Sequence, residues 1–97
     1  MRKVIGIGET VFDIIFKASQ PIGAFPGGST FNCLISLGRC GLDTTMISEA
    51  GNDRVGKMTI DFLKQNGVRT DYVNVFSESK SPISLAFLDE KNDADYL

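Results

Sequence analysis

Short apolar runs alternate with amphipathic segments along this chain, and that alternation constrains the fold more than any other feature. Val4-Ile5-Gly6-Ile7 is apolar throughout, which suits a strand buried on both faces, as in a parallel sheet. Val11 to Lys17 follows as a second strand, with Phe12, Ile14 and Phe16 pointing one way and Val11, Asp13 and Ile15 the other. Ser19 to Gly28 carries prolines and glycines and reads as loop or very short strand. Ser29 or Thr30 can cap a helix running to about Cys40, with Phe31, Leu34, Ile35 and Gly38 on its packing face and Gly41 as its stop. Thr44 to Ala50 is a further core strand. Asp53 can cap the next helix, whose apolar face holds Val55, Met58, Phe62 and Leu63 and which ends at Gly67. Asp71 to Phe76 and Ile83 to Leu88 complete the strands, the latter alternating with Ile83, Leu85 and Phe87 on one side, before a polar turn at 89–93. The order predicts an α/β fold with a mainly parallel sheet and flanking helices. The strands at 11–17 and 83–88 interrupt the alternation and are expected to form a separate small sheet.

Composition narrows the function classes. At 97 residues the chain is one small domain or a piece of a larger one. A net charge of −2 and no basic stripe argue against nucleic acid. No apolar run approaches the roughly 20 residues that span a bilayer, and the start is too short for a signal peptide, so a cytoplasmic protein is expected. The chain has no histidine, which excludes a Ser-His-Asp triad or a His-based zinc site within it. Cys33 and Cys40 are two helical turns apart, about 10.5 Å of rise, against the roughly 5.5–6 Å between Cα atoms that a disulfide needs. They are expected to be small core thiols.

Three glycine signals point in different directions. Gly6-Ile7-Gly8-Glu9-Thr10-Val11 begins like a dinucleotide fingerprint, but the third glycine is Val11, and Glu9 would repel a pyrophosphate. Gly51 to Lys57 matches a phosphate loop between strand and helix, yet the next residue is Met58, with no oxygen for magnesium, and Asp53 is in the loop. A turn with Asp53 as helix cap explains it as well. Pro26-Gly27-Gly28-Ser29-Thr30-Phe31-Asn32 places adjacent glycines before a helix start, where backbone N–H groups are open, and Asn32 adds both donor and acceptor atoms. That chemistry suits a neutral polyol, although a plain loop with a capped helix fits the same residues.

In combination these pieces resemble the ribokinase/PfkB carbohydrate kinases. The likeness rests on Gly6-Ile7-Gly8-Glu9 followed by Asp13, then Gly27 to Asn32 opening a helix that ends Leu37-Gly38-Arg39-Cys40-Gly41. Gly51-Asn52-Asp53-Arg54-Val55-Gly56 and Leu63-Lys64-Gln65-Asn66-Gly67-Val68 follow in the family's order. The wording is most similar to bacterial fructokinase-like members. The resemblance implies a ribokinase-like fold with a small β lid, here the strands at about 11–17 and 83–88. It implies that Asp13, Gly27, Gly28 and Asn32 contact the sugar, and that the family's ATP, Mg2+ and Gly-Ala-Gly-Asp base belong to a carboxy-terminal part. This chain contains no Gly-Ala-Gly-Asp. The stretch from Asp13 to Gly27 is shorter than in ribokinase itself, which implies a trimmed lid.

The expectation is therefore the sugar-binding amino-terminal portion, residues 1–97, of an ATP-dependent sugar kinase. It is expected to have no catalytic residue, bound cofactor or metal of its own, to use a small-molecule sugar as partner, and to engage no membrane. Two other readings stay open: a non-catalytic module, sugar-binding or dimerising, that pairs through its lid strands, and a nucleotide-binding domain using Gly51 to Lys57.

Overall fold

The computed structural model describes residues 2–78 and 80–96. Nine elements follow one another: β1 (Lys3–Ile7), β2 (Val11–Lys17), β3 (Gln20–Gly27), α1 (Ser29–Arg39), β4 (Asp43–Gly51), α2 (Arg54–Gln65), β5 (Val68–Phe76), β6 (Ile83–Leu88) and β7 (Ala94–Tyr96). They make two sheets. A parallel sheet has the order β1-β4-β5, and a four-stranded mixed sheet has the order β3-β2-β6-β7. The α/β architecture and the separate small sheet are as the sequence predicts.

The core is the face of the parallel sheet that both helices cover. Phe31, Leu34 and Ile35 of α1 and Leu63 of α2 pack on Met46, Ala50, Val68 and Val73. Phe31 and Phe62 stack with ring centroids 6.0 Å apart, joining the helices. Each fully buried Phe, Leu, Ile, Met or Val side chain here contributes about 1.5–3 kcal/mol through burial. Gly41 and Gly67 follow the two helices at φ 85° and 79°, the left-handed conformation that glycine adopts without a Cβ penalty.

Several local expectations are corrected. β3 is a full strand of 8 residues where prolines and glycines suggested loop. It is an edge strand, paired only with β2, and Pro21 and Pro26 are tolerated because an edge need not donate every N–H. β1 is covered on one face only: Ile5 and Ile7 are 60% and 74% exposed on the other. Cys33 and Cys40 are both exposed, not core thiols, because the inward stripe of α1 is Phe31, Leu34 and Ile35. Met58 is 50% exposed; Thr59 takes its inward place and satisfies its hydroxyl on the Val55 carbonyl at 2.9 Å. β7 was not foreseen. Asp89 builds the turn before it, its carboxylate accepting from the Lys91 and Asp93 amides at 2.8 and 2.9 Å.

Within the small sheet, β2 pairs with β3 antiparallel and with β6 parallel. The apolar faces read from sequence meet in register: Phe12 opposite Ile83, Ile14 opposite Leu85, and Phe16 opposite Phe87, whose rings stack at 5.1 Å.

Candidate functional site

The site is built where the small sheet meets the carboxyl ends of the parallel strands. β2 carries Asp13 on the face opposite Phe12, and the antiparallel register puts Val11 opposite Gly27. Gly27 is thus the diagonal neighbour of Asp13 across the strand pair. A Cβ on Gly27 would lie 2.6 Å from Asp13 Oδ2, so the carboxylate rests directly against the Gly27 backbone. Gly27 is buried and Asp13 half-buried.

Gly28 lies between β3 and α1. It is the N-cap, with φ 121°, and no side chain caps the helix, contrary to the expectation for Ser29 or Thr30. A Cβ there would meet the Glu9 carbonyl at 2.6 Å. The first helical bond runs from the Asn32 N–H to the Gly28 carbonyl at 2.8 Å, and Asn32 is exposed one turn into the helix. No acidic residue occupies the first turn, so the positive end of the helix dipole is uncompensated by the helix itself. Asp13, Gly27 and Gly28 are therefore brought to one helix start, with Asn32 a turn above it.

Beside this lies an open cleft of about 660 Å³ over the ends of β1, β4 and β5, the position where parallel sheets hold ligands. Glu9, Thr10, Glu49, Asn74, Phe76 and Lys80 are among its walls. None of the four residues singled out from sequence lines it. The two regions touch at Glu9, which lines the cleft and whose carbonyl faces Gly28. The cleft residues were not legible as a site, since they come from segments far apart in the chain, around 9–10, 49, 74–76 and 80. Thr10 and Ser48 hold its floor: the Thr10 hydroxyl donates to the Glu49 carbonyl at 3.3 Å and Ser48 to the Gly8 carbonyl at 2.6 Å.

The other two glycine signals resolve into packing. Gly6 and Gly8 admit Thr30 and Leu34 of α1 where a Cβ would clash, and the chain continues into β2 rather than a helix. In the phosphate-loop lookalike, Asp53 caps α2 as expected, accepting from the Gly56 N–H at 2.7 Å. The same carboxylate accepts from the Ser81 N–H and hydroxyl, both at 2.8 Å. These bonds, the Ser81 amide foremost, then the Gly56 amide and the Ser81 hydroxyl, hold the Asp53 carboxyl below its ordinary pKa, with Lys80 adding to the effect. The Gly56 amide that a phosphate would need is committed to Asp53, so this loop does not fit a nucleotide phosphate. Among the described residues no group of three or more potential ligands could hold a metal ion, and no helix is long and apolar enough to cross a membrane.

A family model described as pfkB family carbohydrate kinase matches residues 1–96. The chain is 34% identical to a ribokinase of Bacillus subtilis (strain 168) over 74 residues, 76% of this chain and 23% of that protein. It is 31% identical to a probable fructokinase-4 of Arabidopsis thaliana over 99 residues, 95% of this chain and 30% of that protein. Among solved structures, a putative ribokinase II from E. coli superposes with a TM-score of 0.91 at 23% identity, over 100% of this chain and 34% of that one. The chain thus spans about a quarter to a third of the length of these proteins.

Proposed function

The chain belongs to the pfkB family of carbohydrate kinases, and from that membership we propose that residues 1–97 form the sugar-binding portion of a fructokinase-like enzyme that transfers the ATP γ-phosphoryl group to a sugar hydroxyl in the cytoplasm. Asp13 accepts hydrogen bonds from sugar hydroxyls, Gly27 and Gly28 let the polyol approach the open N–H groups of α1, and Asn32 offers a donor and an acceptor. A half-buried carboxylate without a charged partner is costly unless donors reach it, and hydroxyls supply them at short range. ATP, when bound, supplies the phosphoryl group. On this reading the nucleotide, Mg2+ and the base belong to the carboxy-terminal part that the family resemblance implies. What this portion does is bind and orient the acceptor, which in phosphoryl transfer is a large share of the work.

The observation that carries the reading is the contact of the Asp13 carboxylate with Gly27 at the start of α1. The test is titration of the isotope-labelled chain with D-fructose and D-ribose, read on backbone amides. Shifts are expected at Asp13, Gly27, Gly28 and Asn32. Asp13→Ala should weaken binding about 10- to 150-fold, the worth of one charge-assisted hydrogen bond. The purified chain should turn over no ATP. Shifts confined to the walls of the cleft, or Asp13→Ala binding as wild type, would overturn the assignment.

A further inference from the structure

Asp53 makes more bonds than a helix cap needs. A cap requires one acceptor for one orphan amide. Here Oδ1 accepts from both the Gly56 N–H and the Ser81 hydroxyl, while Oδ2 accepts from the Ser81 N–H. The Ser81 oxygen in turn accepts from the Gly51 N–H at 3.1 Å. Four groups from three parts of the chain, the end of β4, the first turn of α2 and the approach to β6, converge on one carboxylate and one hydroxyl. Gly56 makes this possible, because a Cβ there would clash with the Gly51 carbonyl and stand 3.0 Å from the Ser81 oxygen.

The next links run to the sugar side. Pro82 follows Ser81, and its carbonyl accepts the Phe12 N–H at 3.0 Å. From that bond the parallel register of β2 on β6 begins, Phe12 opposite Ile83 and Asp13 opposite Ser84. Asp13 then meets Gly27. The small sheet is otherwise a separate hydrogen-bonded sheet, so its placement on the parallel sheet depends on junctions of this kind.

We infer that Asp53 is a positioning residue for the sugar site: through Ser81, Pro82 and Phe12 it sets where the small sheet sits on the parallel sheet, and so where Asp13 is presented. Its bearing on sugar rests on the function proposed above; the lock between the sheets does not.

The test compares Asp53→Ala with Asp53→Ser in the full chain. Serine retains an oxygen for the Gly56 N–H but is too short, and has too few acceptor atoms, to hold Ser81 as well. Two readouts are taken without sugar: amide hydrogen exchange at Phe12 against Met46 and Val73, and the carboxyl-carbon chemical shift of Asp13. Both variants should speed exchange at Phe12 by at least about tenfold relative to Met46 and Val73, the scale of losing one or two hydrogen bonds. Both should move the Asp13 carbon shift. If Asp53→Ser keeps Phe12 protection and the Asp13 shift at wild-type values, Asp53 is a cap alone and the inference is overturned. Exchange accelerated equally at Met46, Val73 and Phe12 overturns it too, as a global loss of stability. Should Asp53→Ala fail to fold, the serine variant decides by itself. A failed sugar titration with a responsive Phe12 sinks the sugar reading and leaves the lock; an unresponsive Phe12 with a normal titration does the reverse.

Discussion

Replacing Gly27 with alanine isolates the contact on which the proposed sugar site depends. Gly27 has no positive φ, so its backbone accepts alanine, and what changes is the space beside it. The new Cβ would stand 2.6 Å from Asp13 Oδ2, and ordinary contact begins near 3.4 Å, so the carboxylate must withdraw by about 0.8 Å. The obstacle is the end of a side chain and not backbone, so the fold survives. An Asp13 side chain forced off its rotamer costs about 0.5–1.5 kcal/mol of stability. Binding suffers more: a displaced carboxylate forfeits a charge-assisted hydrogen bond of about 1.5–3 kcal/mol, or about 10- to 150-fold in affinity. Gly41→Ala is the control. Gly41 has φ 85° and nothing within 4 Å of a Cβ, so alanine there costs about 1–2 kcal/mol of backbone strain without touching the site. Urea denaturation and fructose titration of both variants separate the effects. If Gly27→Ala binds within about twofold of wild type, the strand pair does not present Asp13 to the sugar.

Three further outcomes follow from the same geometry. Because the folded Asp53 carboxyl binds a proton less readily than in the unfolded chain, its bonds to Ser81 and Gly56 stabilise the fold above the ordinary carboxylate range, and that contribution disappears as pH falls through the lowered pKa; Asp53→Asn should flatten the acid limb of a plot of stability against pH, and an unchanged limb would show the bonds to be energetically idle. Phe31→Ala removes a ring with 0% exposure that stacks on Phe62, at a cost of about 3–5 kcal/mol out of a total of about 5–15, so its urea midpoint should fall by at least about 1 M; a destabilisation under about 1 kcal/mol would contradict the assigned core. The uncovered face of the parallel sheet, with Ile5, Ile7, Ile47 and Tyr72 exposed, should make the chain associate with concentration, and Ile5→Thr with Ile7→Thr should reduce it in sedimentation velocity; if the double variant associates as strongly, the edges of the small sheet, β3 and β7, are the contact instead.

Much of the fold was legible because it rests on local rules. The apolar run at 4–7 and the core strand read at 44–50 become β1 and β4, the glycines at 41 and 67 stop both helices, and Asp53 caps α2. Alternation along 11–17 and 83–88 separated the two faces of β2 and β6 correctly before their pairing was known. The errors share a cause. Whether Ile5 is covered, whether Cys33 faces inward, and whether Pro21 and Pro26 permit a strand all depend on what lies across from them, and composition alone does not say which strand is an edge.

By itself, the order of residues determined the class of fold, the helix stops at Gly41 and Gly67, the Asp53 cap of α2 and the candidate set of Asp13, Gly27, Gly28 and Asn32. The tertiary structure alone decided that Asp13 leans on Gly27, that the cleft opens beside Glu9 without those residues in its walls, and that Asp53 reaches Ser81 as well as Gly56. The division is physical. Turns, caps and periodicity act between near neighbours in the chain, whereas a carboxylate's partner 28 residues away is chosen only when the sheets have docked.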